Sequence, residues 1–203
     1  RGLDGTYPLV AGACSQSQGE RLLLNLRDPN RLWSPIGLTA VDQSAPYYSN
    51  EGYWNGTVWM AHQWFYWKTM LDCGQADDAY RIASTALDLW KKEVAETYHC
   101  FEHFIVESGR GAGWHQFGGL SSPVLNWHAA YYRMGQVTAG LDVWMVTRQF
   151  NDDYSHAELA WAHRPNDMNS PYNIIICMNP DYVYTVTEGL ETVPHSQRHD
   201  GLI

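Results

Sequence analysis

Between Thr57 and Leu71 the chain carries a helix-length stretch with few charges and with Trp59, Gln63, Tyr66, Trp67 and Met70 at helical spacing. Such a helix must be covered nearly all round, so the fold has to be built about it. Cys73-Gly74 stops it, and Asp77 to Lys92 follows as an amphipathic helix. There Ala79, Ile82, Ala83, Ala86, Leu89 and Trp90 form one face, with Asp and Lys opposite. The short Cys73–Ala76 link predicts an antiparallel helical hairpin.

Two further helices are predicted. Ser15 to Leu26 has a Leu-rich face framed by Gln18, Leu22 and Leu26 and is stopped by Asp28-Pro29-Asn30. Leu120 to Met134 has Ser121, Ser122 and Pro123 at its start and Gly135 after it. Arg31 to Glu51 reads as a long loop, and such loops tend to be functional. After about Gly140 the character changes to strands: Leu141–Thr147, then a hairpin of Asn173–Met178 with Tyr182–Thr187 across Asn179-Pro180-Asp181. Helices first and strands later predict two units, residues 1–140 and 141–203. The turn-like opening Arg1–Thr6 reads as an internal start, and Leu202-Ile203 as the opening of another strand.

The 203 residues carry a formal net charge of −9 with the basic residues scattered, which argues against nucleic acid or an anionic membrane as partner. No apolar run reaches the roughly 18 residues of a membrane span. Cys14, Cys73, Cys100 and Cys177 are far apart; they form no metal motif and fit a reducing cytoplasm better than secretion. Ten Trp and 13 Tyr are the anomaly in composition. Most are expected in the core, but flat faces with polar handles also suit the C–H faces and polar rims of sugars.

Chemistry concentrates in Glu102–Ser122, where a carboxylate among aromatics precedes a glycine-rich turn, an aromatic-Gly-Gly step and a helix start. Upstream, Tyr53–Trp59 sets aromatics around Gly56 in the same manner. Together they predict a sugar-binding cleft. Glu96 and Glu102 compete as the functional carboxylate; Phe101, His103 and Phe104 favour a partly buried Glu102. Glu93 and Glu107 are expected to be solvated. His62, His99, His103, His115 and His128 show no zinc spacing in a regular element, so no metal and no cofactor is expected; His115, beside Trp114, reads as a substrate or structural hydrogen-bonding group. Gly109-Arg-Gly-Ala-Gly113 lacks the strand and the Lys-Ser/Thr of a phosphate loop.

Tyr53-Trp-Asn-Gly-Thr-Val-Trp59 resembles the Y-W-R-G-P-V-W segment of family 63 glycoside hydrolases and their mannosylglycerate-hydrolase-like relatives. Glu102-His-Phe-Ile-Val-Glu-Ser-Gly109, then Gly111, Gly113 and Phe117-Gly118, resembles their E-(Y/N)-(F/Y)-x-x-x-T-G-x-G…F-G-W-S-S segment. The likeness runs from about Leu3 to Gly135. It implies a mainly α chain holding part of an (α/α)6 toroid, followed by a short antiparallel β segment. It also implies inverting hydrolysis of α-linked gluco- or manno-type glycosides. Glu102 falls at the family's general base, and Tyr53, Trp54, Gly56, Trp59, His115 and Phe117 fall on the substrate pocket. The chain departs from the pattern at Asn55, Thr57 and Gly119, which removes a cation and an aromatic and bears on substrate choice. No segment before Tyr53 matches the family's general acid; Asp4 and Asp42 lack the context. The implied partner is an oligosaccharide or small glycoside, with the rest of the barrel supplied from outside this chain. Binding without catalysis is the rival reading.

Overall fold

The computed structural model describes residues 2–165, 168 and 170–198. It is helix-rich with short antiparallel strands. In chain order come α1 (Tyr7–Val10), α2 (Gln16–Arg27), β1 (Trp33–Ser34), β2 (Gly37–Leu38), α3 (Met60–Asp72) and α4 (Ala76–Thr97). Next are β3 (His103–Phe104), β4 (Gly111–Ala112), α5 (Gly118–Ser121) and α6 (Pro123–Tyr132). The chain then runs through β5 (Gln136–Thr138), β6 (Val143–Phe150), β7 (Ala157–His163), β8 (Ile175–Cys177), β9 (Thr187–Glu188) and β10 (Glu191–Thr192). The strand expected at Leu202-Ile203 lies outside the described residues.

The buried helix is the hub, packing against α1, α4, α5 and α6. Tyr66, Trp67, Met70 and Leu71 of α3 are all at most 2% exposed and meet Ile82, Ala83, Trp127 and Leu26 in one core. Trp67 Nε1 donates to Tyr131 Oη at 2.9 Å, meeting the one polar need of an otherwise apolar ring. α3 starts three residues later than its periodicity predicts. Val58 instead exchanges two 2.9 Å backbone hydrogen bonds with Phe104, which holds 57–59 extended. α2 spans the expected residues, but it buries Gly19, Leu23 and Leu26 rather than a face framed by Gln18 and Leu22; Gln18 is exposed, and its Oε1 accepts the Ser15 N–H at 3.0 Å as an N-terminal cap. α4 runs a further turn, to Thr97, and ends at Tyr98 in the left-handed region (φ 59°).

The predicted single helix Leu120–Met134 is two pieces, broken at Ser122. Pro123 has no N–H to give the Gly119 carbonyl, and the Ser122 hydroxyl donates to that carbonyl instead, at 2.8 Å. The predicted hairpin of 173–178 with 182–187 does not form. β8 pairs with β5, Gln136 opposite Cys177, while 182–186 has no strand partner among the described residues and Thr187–Glu188 pairs with β10. Ile175 and Cys177 are buried in the helical core, so burial chooses the partner that sits beside α6. The long ribbon of β6 with β7, bulged between Met145 and Thr147, takes up 143–147 of the predicted run 141–147 and extends it to Phe150; its second strand carries no strong sequence signal.

Four tryptophans are buried (Trp33, Trp59, Trp67, Trp127) and Trp64 and Trp90 pack against the core, while Trp54, Trp114, Trp144 and Trp161 are exposed. No helix among the described residues is long and apolar enough to cross a membrane. The four cysteines are free thiols.

Candidate functional site

A small ribbon carries the candidate carboxylate. β3 pairs with β4, His103 opposite Ala112, and the returning arm continues beside residue 100: Cys100 N–H donates to His115 O at 3.2 Å and Phe117 N–H to Cys100 O at 2.7 Å. Glu102 sits between these bonds. Its Oε2 accepts the Trp114 backbone N–H at 3.2 Å, and its Oε1 accepts the Tyr53 hydroxyl. The two aromatic-glycine segments, 49 residues apart in sequence at these positions, therefore meet at one carboxylate. The Tyr53 O–H holds the Glu102 carboxyl below the usual carboxylate range, with the Trp114 N–H and His103 adding to the effect against partial desolvation. Tyr53 in turn is held above the ordinary phenol value, first by that hydrogen bond.

Beside Glu102 stands an aromatic stack. Trp54 lies flat on Trp59 at 3.8 Å with a 4° interplanar angle, and Trp59 stacks on His103 at 4.9 Å. Tyr53 meets Trp54, Trp59 and His103 edge-on, at 5.5, 4.9 and 5.1 Å. Trp59 is 2% exposed and its Nε1 donates to Tyr53 O at 2.9 Å; Trp54 is 55% exposed and offers its outer face to solvent. The result is a rigid flat platform next to an ionised carboxylate, which suits the C–H face and hydroxyl rim of a sugar ring.

Of the residues expected from sequence, Glu102, Tyr53, Trp54 and Trp59 come together. Gly56 lies behind them, where a Cβ would fall 1.6 Å from Ser49 O, so it lets two backbone segments pass. His115 and Phe117 lie exposed on the returning arm; His115 packs on Trp114 and His99. Glu96 is not beside Glu102 but pairs with Arg110 and is half exposed. Glu107 is exposed as expected, but Glu93 is not solvated. At 3% exposure its carboxylate takes Arg110 Nε and the Gly111 N–H, both at 3.0 Å, and so pins the glycine-rich turn to α4. The hint was the burial face of α4 itself, on which Glu93 falls four residues after Leu89.

Three contributors were not singled out by sequence. His103 is 4% exposed with Nδ1 unpartnered, and burial lowers its pKa while the Glu102 charge raises it. His62 lies against Trp54 at 5.7 Å, with its Nδ1 also unpartnered. Gly113 adopts φ +75°, and a Cβ there would lie 2.6 Å from Glu102 Oε2 and 2.8 Å from the His103 ring. Only glycine lets the loop pass so close to the carboxylate.

Over residues 1–118, more than half the chain, the sequence matches the model of the mannosylglycerate hydrolase MGH1-like glycoside hydrolase domain. A mannosyl-oligosaccharide glucosidase of Saccharomyces cerevisiae is 25% identical over 125 residues, covering 53% of this chain and 14% of the yeast protein. An uncharacterized conserved protein from Thermus thermophilus superposes with a TM-score of 0.55 at 26% identity, over 63% of this chain and 30% of its own. A GH63 mannosylglycerate hydrolase from the same organism, solved in complex with glucose, superposes with a TM-score of 0.52 at 27% identity, over 63% and 28%. The chain thus spans 14% of the curated relative and less than a third of each of these structures.

Proposed function

The chain belongs to the mannosylglycerate hydrolase MGH1-like glycoside hydrolase family, and on that premise we propose that it carries the base side of an inverting α-glycosidase site. Glu102 takes a proton from water, and that oxygen attacks the anomeric carbon of an α-linked gluco- or manno-type glycoside from the face opposite the leaving group. Trp54, over Trp59, receives the sugar's C–H face; Tyr53, His115 and Phe117 border the subsite, and Gly56 shapes its floor. A second carboxyl group, roughly 6.5–9.5 Å from Glu102, protonates the leaving oxygen. We assign that acid to residues outside this chain, because Asp4 is exposed and Asp42 is buried in bonds to the Ser44 N–H and hydroxyl. Residues 1–140 then form part of an (α/α)6 toroid and 141–203 begin a β-domain. The exposed Phe65 and Leu125 on α3 and α6 support the toroid, whose neighbouring helices cover such faces. The observation that carries the reading is the Tyr53–Glu102 hydrogen bond joining the two motifs beside the tryptophan platform.

One feature favours binding without catalysis: a carboxylate whose pKa is held down is a weaker base. A single experiment separates the two. Glycosyl fluorides have a leaving group that needs little protonation, so they bypass the acid. The chain should release the β-anomer first from α-glucosyl or α-mannosyl fluoride, as read by proton NMR, leave ordinary α-glycosides intact, and lose turnover in Glu102→Gln. No fluoride hydrolysis, together with glycoside binding that survives Glu102→Gln but not Trp54→Ala, would establish the binding-only reading.

A further inference from the structure

The glycine-rich turn that brings the Trp114 N–H to Glu102 is fastened to the helical body by a buried charge. Glu93, on the inner face of α4, is 3% exposed. Its Oε2 accepts Arg110 Nε and the Gly111 N–H, both at 3.0 Å, and its Oε1 accepts Arg110 Nη2 at 3.2 Å. Glu96 also meets Arg110, but from a half-exposed position three residues further along α4.

The anchored residue stands in register with the site. Gly111 pairs with Phe104 and Ala112 with His103, so β4 lies against the strand that follows Glu102. Phe101, on the other side of Glu102, packs on Gly111, where a Cβ would fall 2.2 Å from its ring. Two residues past β4, the Trp114 N–H meets Glu102 Oε2 at 3.2 Å. Phe104 in turn exchanges 2.9 Å backbone bonds with Val58, next to Trp59 of the platform. A shift at Gly111 therefore reaches the carboxylate and, through β3, the aromatic stack. Burying a charged pair is costly, and an apolar side chain often fills such a helix face as well or better. What Glu93 provides and leucine could not is a fixed place for one backbone N–H.

We propose that Glu93 is the positioning residue for Glu102, holding Gly111 and thereby the Trp114 N–H against the carboxylate. The inference rests on the reading of Glu102 as the base, but its main readout is the Glu102 carboxyl itself and needs no turnover. Charge and position predict opposite signs. Removing the Glu93 anion and releasing the Arg110 cation would each lower the Glu102 pKa. Drawing the Trp114 N–H away raises it, because that bond helps to hold the carboxyl below the usual range. Tyr53 and His103, the titratable groups that act on Glu102, are untouched by the substitution.

The test is carbon-13 titration of the Glu102 carboxyl, together with the Trp114 amide proton, in the 203-residue chain and in Glu93→Leu and Glu93→Gln. In the wild type the Trp114 amide should follow the Glu102 midpoint. In Glu93→Leu the midpoint should rise and the amide should cease to follow it. Glu93→Gln keeps an acceptor for Gly111 and should stay nearer the wild type. Should Glu93→Leu not fold, Glu93→Asp, one methylene short of Gly111, should show the same rise. A Glu102 midpoint that stays or falls in Glu93→Leu or its Asp substitute, or a Trp114 amide that still tracks it there, overturns the proposal. Hydrolysis of α-glucosyl fluoride by the same proteins separates this inference from the reading beneath it. If the wild type turns the fluoride over, Glu93→Leu should lose up to about 100-fold in kcat, the scale of a ~1 Å misplacement. The acid limb of its pH profile should move up with the Glu102 midpoint. A wild type without turnover sinks Glu102 as the base, while the two NMR titrations still decide whether Glu93 positions it.

Discussion

Substituting Gly113 by alanine should damage the candidate site more than a neighbouring glycine with nearly the same backbone. Gly109 and Gly113 flank β4, at φ +63° and +75°. An L side chain in this region costs about 1–2 kcal/mol, partly offset by ~0.4–1 kcal/mol from the restricted unfolded chain. At Gly109 the added Cβ would make only ordinary contacts, 3.6 Å to Leu89 Cδ1 and 3.7 Å to Ile36 Cγ2. Gly109→Ala should therefore cost about 1 kcal/mol. At Gly113 the Cβ would fall 2.6 Å from Glu102 Oε2 and 2.8 Å from His103 Cε1. The carboxylate can swing aside; the imidazole, 4% exposed and stacked on Trp59, cannot. Overpacking of this kind adds about 1–3 kcal/mol, so Gly113→Ala should cost ~2–4 kcal/mol in all. Urea unfolding at constant m value reads the difference in midpoint. A carbon-13 titration should also show the Glu102 carboxyl moving back toward its ordinary range in Gly113→Ala and not in Gly109→Ala. Equal destabilisation by the two variants, within about 0.5 kcal/mol, would refute the claim that close approach to Glu102 and His103 is what demands glycine.

Tyr53→Phe removes the main donor on Glu102 and should raise that carboxyl's pKa. Because the folded value lies below the ordinary glutamate value of 4.5, Glu102 stabilises the fold above that pH and loses its contribution as pH falls through the lower value. Stability measured against pH should have a shallower acid slope in the variant. Trp59→Ala, at 2% exposure, should cost about 3–5 kcal/mol. Trp54→Ala should cost under ~1.5 kcal/mol in the same denaturation assay while abolishing glycoside binding at the Trp54–Trp59 platform, read as loss of the Trp59 indole NMR shift on titration. Asp72 accepts the Leu141 and Asp142 N–H groups at 2.6 and 3.1 Å, so Asp72→Ala strands two donors and should cost ~2–4 kcal/mol by urea unfolding. Burial, the largest influence, raises the Asp72 pKa, so this group favours the fold below the ordinary Asp range and fades as pH rises through the folded value. Asp72→Asn should remove that slope.

What could be read from sequence was whatever local physics controls. The span of α2 and the apolar run of α3 depend on neighbours three and four residues away, which the sequence displays directly. The α4 face, Ala79 to Leu89, is legible for the same reason. The two aromatic-glycine segments were legible as motifs because close backbone approach restricts residue choice. Partner choice was not. The alternation at 182–187 predicts a strand, yet Ile175–Cys177 pairs with Gln136–Thr138, because a period of two reports exposure on two faces and says nothing of which edge is free. The break at Ser122 turned on a single carbonyl, that of Gly119, which proline could not serve.

The site divides the same way. Sequence alone pointed to Glu102 among aromatics ahead of a glycine-rich turn, with Tyr53–Trp59 as its companion. Only the tertiary structure decided that the Tyr53 hydroxyl would rest on Glu102, that Trp54 would stack on Trp59, and that Glu93 would leave solvent to anchor the turn. The Tyr53–Glu102 and Glu93–Arg110 contacts join residues distant along the chain, and the Trp54–Trp59 stack depends on Val58 pairing with Phe104. Their geometry comes from how α3 and α4 pack, and no local spacing encodes it.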